Sequence, residues 1–316
     1  MEEELRRLMA AEGIGVFCSV PCEHDLEAEA RYKRRISGKG YGGMSFLAAH
    51  AELKYRPARL LDGCRSIILA AIPCYTGSCL RASRERPQEP AGRVAEYAVG
   101  RDYHKTVKAM LKRIIAGLQE LLPGEEFRPF VDSGPLDERH YAAGALGFIG
   151  RNGLLINRRY GSWFFLGDIL TTAELPFLSA EGAPGTKSLG KLNSESGTIS
   201  REDAAGPGGL CPPGCRACVD ACPTGALTDE GEFLPERCIS YLTIEHEGEI
   251  GRPLRAAVGD RIFGCDTCQE VCPFNRAAAE RAAEDAHPDF TRPIAGKWIP
   301  LREVRELGSR EEMASR

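Results

Sequence analysis

The chain lacks several features that would place it in a simple class. Its N-terminal stretch, MEEELRRLMAAEGIGVF, carries three glutamates and no long apolar run. Neither a secretory signal nor a membrane span is expected there. Arg6-Arg7 has no apolar segment behind it, so a twin-arginine export signal is not expected either. Charge of one sign is also missing, because 41 Lys and Arg face 45 Asp and Glu, for a net charge of −4. A bulk polyanion binder is thereby excluded, and any nucleic-acid contact must come from a local patch. With 43% hydrophobic and 27% charged residues, the 316-residue chain is not disordered or collagen-like and has enough apolar residues for a real core. A reducing cytoplasm is the expected compartment.

What the sequence does have is cysteine, thirteen in all. A chain this long does not need disulfides to stabilise its core. Cys18, Cys22, Cys64, Cys74 and Cys79 are scattered, whereas the others crowd between Cys211 and Cys272. That asymmetry points to metal.

Local patterns divide the chain. Residues 1–11 read as an amphipathic helix, GVFCSV as a strand, and the basic, glycine-rich stretch 31–43 as a loop. A helix is expected over 44–53, and CRSIILAAIPCY reads as a strand in a sheet covered on both faces. The apolar spacing over 104–122 predicts a long helix stopped by Pro123-Gly124. FRPFVDSG reads as a strand entering a turn at Asp132, 135–146 as a helix capped by Gly147, and 154–175 as a hairpin turning near Tyr160-Gly161. Residues 176–210 are rich in Gly, Ser, Pro and Ala and read as a linker, 276–286 reads as a helix, and the tail beyond Pro288 reads as irregular. The expected units are 1–175, the linker 176–210, a cysteine-rich domain over 211–287 and a tail over 288–316.

Two half-motifs carry the chemistry. Cys215-Arg-Ala-Cys218-Val-Asp-Ala-Cys222-Pro223 follows Cys211, and Cys265-Asp-Thr-Cys268-Gln-Glu-Val-Cys272-Pro273 follows Cys238. Each contains CxxCxxxCP, the ending of the bacterial ferredoxin run, in which the last cysteine serves the other cluster. Two [4Fe-4S] clusters are expected, one on Cys211, Cys215, Cys218 and Cys272, the other on Cys222, Cys238, Cys265 and Cys268. Structural zinc at two four-thiolate sites is the bland alternative. Cys211 is the least regular ligand, because three residues separate it from Cys215 where the ferredoxin run has two; Pro212-Pro213-Gly214 is expected to absorb the extra one as a turn. Cys64 and Cys74 read as small buried hydrophobes. Cys18, Cys22 and His24 have the residue types of a metal site but nothing nearby to complete it.

A ferredoxin would not need so large a domain in front of its clusters. The segments YAVGRDYH (97–104), PFVDSGPLDER (129–139), GALGFIGRNGLLINRRYGSWFFLGDIL (144–170), CISYLTIE (238–245) and GCDTCQEVCPFN (264–275) resemble the epoxyqueuosine reductase family, in the same order over most of residues 1–275. The resemblance implies a cobalamin-dependent enzyme with two [4Fe-4S] clusters that removes the epoxide oxygen of epoxyqueuosine at the wobble position of tRNA. It implies an α+β fold: a nitroreductase-like, reductive-dehalogenase-like α/β cobalamin domain, then a ferredoxin-like double [4Fe-4S] domain. Asp132 matches the family's proton donor; as a residue alone it reads as a turn cap. An acid working near neutrality needs a raised pKa, which burial with few donors would supply. Lys54, Arg56, Tyr97, Asp132, Asn152, Ile156, Gly167, Ser240, Cys265 and Asp266 are the implied cobalamin contacts. His104 reads as a surface or cap residue, not a cobalt ligand.

The implied partners are the anticodon stem-loop of tRNA and an external low-potential electron donor, with no membrane and a monomeric chain. Arg151, Arg158 and Arg159 form one basic patch and Arg31, Lys33, Arg34, Arg35 and Lys39 another, with Tyr41, Tyr160 and Trp163 nearby for stacking on splayed bases. Ordinary solubility charge is the competing reading of both patches. Two functional alternatives stay open: a corrinoid iron-sulfur reductase of another electrophile, and a non-catalytic electron-transfer or corrinoid-handling protein. Neither the Asp132 acid nor the arginine patches are needed by a carrier.

Overall fold

A computed structural model of the chain describes residues 1–38, 40–77, 86–132, 134–180, 210–292 and 296–306. Its strands are β1 (Val16–Pro21), β2 (Ser66–Pro73), β3 (Ala91–Val94), β4 (Phe127–Val131), β5 (Phe148–Ile149), β6 (Leu155–Ile156), β7 (Phe164–Thr171), β8 (Arg261–Phe263) and β9 (Trp298–Pro300). Four of them build the main sheet in the order β1-β2-β7-β4. Every pairing in it is antiparallel, with Val16 opposite Ala71, Ser66 opposite Thr171 and Phe127 opposite Thr171 setting the registers.

The apolar run of β2 explains why this sheet lies at the centre. Side chains alternate across a strand, so Ile67, Leu69 and Ala71 enter one core with Tyr141, Leu146 and Trp163. Ile68, Ala70 and Ile72 enter a second core on the other face. There the helix Tyr103–Leu121 contributes Val107, Met110, Leu111, Ile114 and Leu118, and the helix Glu2–Ala11 adds Leu5 and Met9. Each such side chain contributes ~1.5–3 kcal/mol by leaving water. Gly167 in β7 lets the long helix approach: a Cβ there would lie 2.8 Å from Val107 Cγ1.

A second sheet, β8-β3-β9, joins distant parts of the chain. β3 pairs in parallel with β8 of the cysteine-rich stretch and antiparallel with β9 near the C-terminus. Below it Lys297, Glu96 and Asp266 are buried together, with Lys297 Nζ 2.7 Å from Asp266 Oδ2 and 3.7 Å from Glu96 Oε2. This pairing corrects the irregular tail expected beyond Pro288. Sequence periodicity has no view of a three-residue strand whose partner lies some two hundred residues earlier.

Other local expectations change as well. The expected loop over 31–43 is helix through Ser37, in Leu26–Ser37, because Asp25 caps it by accepting Ala28 N–H at 2.9 Å and Glu27–Arg31 and Glu29–Lys33 pair along its face. The helix expected over 44–53 contracts to Ser45–Ala49, followed by turns. That expected over 135–146 contracts to Glu138–Ala142, with Gly144 rather than Gly147 taking the left-handed conformation after it, φ +90°. The expected hairpin near Tyr160-Gly161 does not form. β6 pairs with β5, and both edges of β7 are taken by β2 and β4, although Asn157 and Gly161 still make a tight bridged turn. Within the expected linker, residues 177–180 still pack on the core: Leu178 bridges Ser19, and Ala180 N–H donates to Ala145 O at 2.8 Å. Residues 181–209 lie outside the described residues.

Candidate active site

The cysteine-rich stretch folds through short turns and helices that bring its thiols into two groups. Cys211, Cys215, Cys218 and Cys272 line one cavity that is partly continuous with solvent. Cys272 comes from the second half-motif, so the groups exchange their last cysteines. The extra residue after Cys211 is absorbed in a turn, with Gly214 at φ +73° and Cys215 N–H donating to Pro212 O at 2.9 Å. In the other group Cys238 feels Cys265 and Cys222, and Cys268 feels Cys265 and Cys238. Burial and then neighbouring thiols push Cys218 up to about 11 and Cys268 well above the usual thiol range. Cys222 goes the other way: burial would raise it, but backbone N–H groups of Ala226, Thr224 and Leu227 hold it down, the first at 3.3 Å. Such N–H donors to sulfur are what a cluster requires of its loop.

Among the described residues no three His, Cys, Asp or Glu side chains converge on a point where a single metal ion would sit. Four thiols lining one cavity are a donor set that a [4Fe-4S] cluster fits.

At the end of β4, Asp132 makes a compact polar network. Tyr103 donates its hydroxyl to Asp132 Oδ2, and His104 Nε2 lies 3.0 Å from Oδ1. His104 Nδ1 is in turn 2.8 Å from Asp102 Oδ1, the residue that caps the long helix. Tyr103 is clamped by stacking between Phe165 at 4.0 Å and His104 at 4.1 Å. Burial, then the Asp132 charge, raises the Tyr103 phenol, so it stays a donor. The Asp132 side chain is 46% exposed and has two donors, unlike the buried, donor-poor carboxyl expected from the sequence, because it stands where β4 leaves the sheet.

Tyr97 connects this network to the cysteine region. It meets Tyr103 edge-on at 6.4 Å and Phe263 of β8 at 6.1 Å, and after burial the charges of Asp266 and Asp132 raise its phenol. Asp266 follows Cys265 directly and accepts Glu96 N–H at 2.9 Å. Tyr97 thus lies between Asp132 of one region and Asp266 of the other.

Residues 54–133 match the family model described as epoxyqueuosine reductase QueG, DUF1730, and residues 211–275 match the 4Fe-4S double cluster binding domain. The curated epoxyqueuosine reductase of Leadbetterella byssophila is 34% identical over 284 residues, covering 89% of this chain and 82% of that one. This chain belongs to the epoxyqueuosine reductase family. The epoxyqueuosine reductases of Vibrio cholerae and Escherichia coli are each 36% identical, over 84% and 83% of this chain. This chain spans 65% and 62% of their lengths. Its fold is similar to a crystal structure of epoxyqueuosine reductase with a tRNA-Tyr epoxyqueuosine-modified tRNA stem loop, TM-score 0.76 and 24% identity, covering 100% of this chain and 74% of that one. It is similar also to epoxyqueuosine reductase from Streptococcus thermophilus, TM-score 0.72 and 23% identity, with the same coverage.

Against the family pattern, the remaining expected contacts scatter. Arg56 is taken by a two-pronged pair with buried Glu29, at 2.8 and 3.0 Å, and Lys54 lies over the Tyr32 ring. Ser240 stands in the first turn of the helix Ile239–Ile244, where its N–H lowers the Cys238 thiol against burial. Gly167 lies under the long helix. Asn152 lines the first thiol cavity, and Ile156 packs against Cys272. Within the basic patches, Arg31 pairs with Glu27, Lys33 with Glu29 and Glu52, and Arg159 with Asp285. Arg151 turns to the thiol cavity, and Lys39 lies outside the described residues. Tyr160 and Trp163 are core residues, 1% and 4% exposed, and present no face to a base. Cys18 is fully buried, Cys22 pairs with Cys64 and His24 bonds Glu29, and among the described residues no three ligands come together there. Cys64 and Cys74 are buried, and Cys79 lies outside the described residues.

Sequence reasoning missed the roles of three residues of this region, His104, Arg151 and Lys297. His104 carried a signal in its spacing, two residues after a capping aspartate. The buried Lys297 and the inward turn of Arg151 carried none, since each depends on a partner distant in the chain.

Proposed function

We propose that this chain reduces epoxyqueuosine to queuosine at the wobble position of tRNA, an oxidoreductase reaction of the cytoplasm fed by an external low-potential electron donor. Two electrons and two protons enter, a carbon–carbon double bond replaces the epoxide, and the oxygen leaves as water. The carrying observation is the Asp132–His104–Asp102 network, set at the mouth of the sheet and facing the cysteine region through Tyr97. A carrier protein has no use for such a device. The N-terminal part, 1–175, is then a cobalamin domain of the nitroreductase-like, reductive-dehalogenase-like type, and 211–287 holds the two [4Fe-4S] clusters on the cysteine groups given above.

Tyr97, Asp132, Ser240, Cys265 and Asp266 are the residues that would hold the corrin: Tyr97 lies between Asp132 of one region and Asp266 of the other, Cys265 precedes Asp266, and Ser240 stands two residues after Cys238. Bound there, cobalamin supplies the strong reductant that engages the substrate carbon. The chain itself manages the proton. Asp132 Oδ1 takes a proton from His104 Nε2 and passes it to the leaving oxygen, while Tyr103 fixes Oδ2 and Asp102 holds the imidazole through Nδ1. The exposure of His104 lets it refill from solvent.

The test is anaerobic reconstitution with iron, sulfide and cobalamin, followed by incubation with epoxyqueuosine-containing tRNA and nucleoside analysis. Queuosine is expected. Asp132→Asn should lower turnover by about 10²–10⁴-fold with iron content and melting temperature retained. Cobalamin reduction without queuosine would overturn the substrate assignment, and failure to bind any corrin would overturn the cofactor assignment.

A further inference from the structure

The hairpin β5–β6 belongs to the N-terminal region, yet its tip enters the first thiol cavity. The turn is closed by Gly150 N–H to Leu154 O and Gly153 N–H to Gly150 O, both 2.9 Å, with Gly153 at φ +76°. Its base is seated by Phe148 and Ile156 packing with Cys272, Cys211 and Phe274. The tip residues Arg151 and Asn152 line the cavity together with Cys211, Cys215, Cys218 and Cys272.

Their polar atoms are poised without acceptors. Asn152 Oδ1 accepts Leu154 N–H at 3.2 Å, which fixes the amide so that Nδ2 is the free end. Nδ2 of Asn152 and Nε of Arg151 are both buried with no hydrogen-bond partner. A buried donor left unpaired is costly, and the natural acceptors at this wall are the sulfurs of whatever the four cysteines hold. The Arg151 backbone N–H already bonds the Cys211 thiol.

We infer that Arg151 and Asn152 donate hydrogen bonds to sulfur of the first [4Fe-4S] cluster and raise its reduction potential, so that the N-terminal region tunes a cluster held by the cysteine region. The inference rests on the cluster reading above. Donors to cluster sulfur, and a positive charge beside it, favour the reduced, more negative state. Cys222, Cys238, Cys265 and Cys268 are not among the residues that line this cavity, so the second cluster serves as an internal reference.

The experiment is an EPR-monitored redox titration of the anaerobically reconstituted full chain, comparing wild type with Asn152→Leu and Arg151→Met. Each variant keeps side-chain bulk and removes the donor. Each should shift the midpoint of the first cluster alone downward, by about tenfold in its reduction equilibrium, about 59 mV for one electron. Pulsed ENDOR in D2O should also lose an exchangeable proton coupled to that cluster in Asn152→Leu. Unchanged midpoints and unchanged proton couplings with full iron content would overturn the inference. If a variant loses the first cluster, the wild-type spectrum alone decides: no exchangeable proton coupled to that cluster overturns it. A wild-type chain that assembles no iron-sulfur signal would instead overturn the cluster reading itself.

Discussion

The sheet region and the cysteine region are built on different physics. In the first, β2 and β7 are buried on both faces and a nineteen-residue helix lays its apolar stripe across them. In the second, the helices Ala217–Asp220 and Thr267–Glu270 have four residues each, and the local core around Ile239, Tyr241, Leu242 and Val258 is small. Helices that short do not persist on their own propensity. The sheet region is held by removal of apolar surface from water, while the cysteine region depends on what its thiols bind and on β8 docking against β3. A rigid scaffold thus presents Asp132, and a ligand-dependent module is brought to it.

Removing the ligand should break this comparison most visibly. Anaerobic chelation of iron is expected to raise hydrogen exchange throughout 211–275 while the amides of β2 and β7 stay protected, and equal loss in both regions would sink the contrast. The reverse perturbation is Leu69→Ala, fully buried in the main core. It should cost about 2–5 kcal/mol in denaturant unfolding of the sheet region without changing the iron content of folded protein. A smaller effect is expected of Gly167→Ala, whose Cβ would press on Val107 at 2.8 Å. Overpacking there should cost about 1–3 kcal/mol, and relief by Val107→Ala in the double variant would identify the contact.

The smallest effect is electrostatic and belongs to the sheet region alone. Arg56, against the opposing effect of burial, with Lys33 and His24 behind it, holds Glu29 down at about 2. Its folded pKa lies below its unfolded value, so the stabilisation is present above about pH 4.3 and fades as pH falls toward 2. Arg56→Ala should flatten that part of the stability–pH curve, measured by thermal melts, and an unchanged slope would count against the pair.

Much of this molecule was legible before any fold was known. The continuous apolar run in CRSIILAAIPCY, the three-and-four spacing of the long helix and the doubled CxxxCP each follow from local geometry that a sequence records directly. The loop expected over 31–43 hid a helix because Gly38, Gly40, Gly42 and Gly43 drew attention from the Asp25 cap and the paired charges. The hairpin expected at Tyr160 failed because turn chemistry names a reversal but not the partner of the strand that follows it.

By itself, then, the sequence determined the thiol chemistry, the apolar periodicities and the family, since all are carried by residue type and spacing. Only the tertiary structure decided that Asp132 is held between Tyr103 and His104, that Arg151 faces a thiol cavity instead of solvent, and that β3, β8 and β9 form one sheet. Those outcomes depend on packing between residues far apart in the chain, and no local period encodes such a contact.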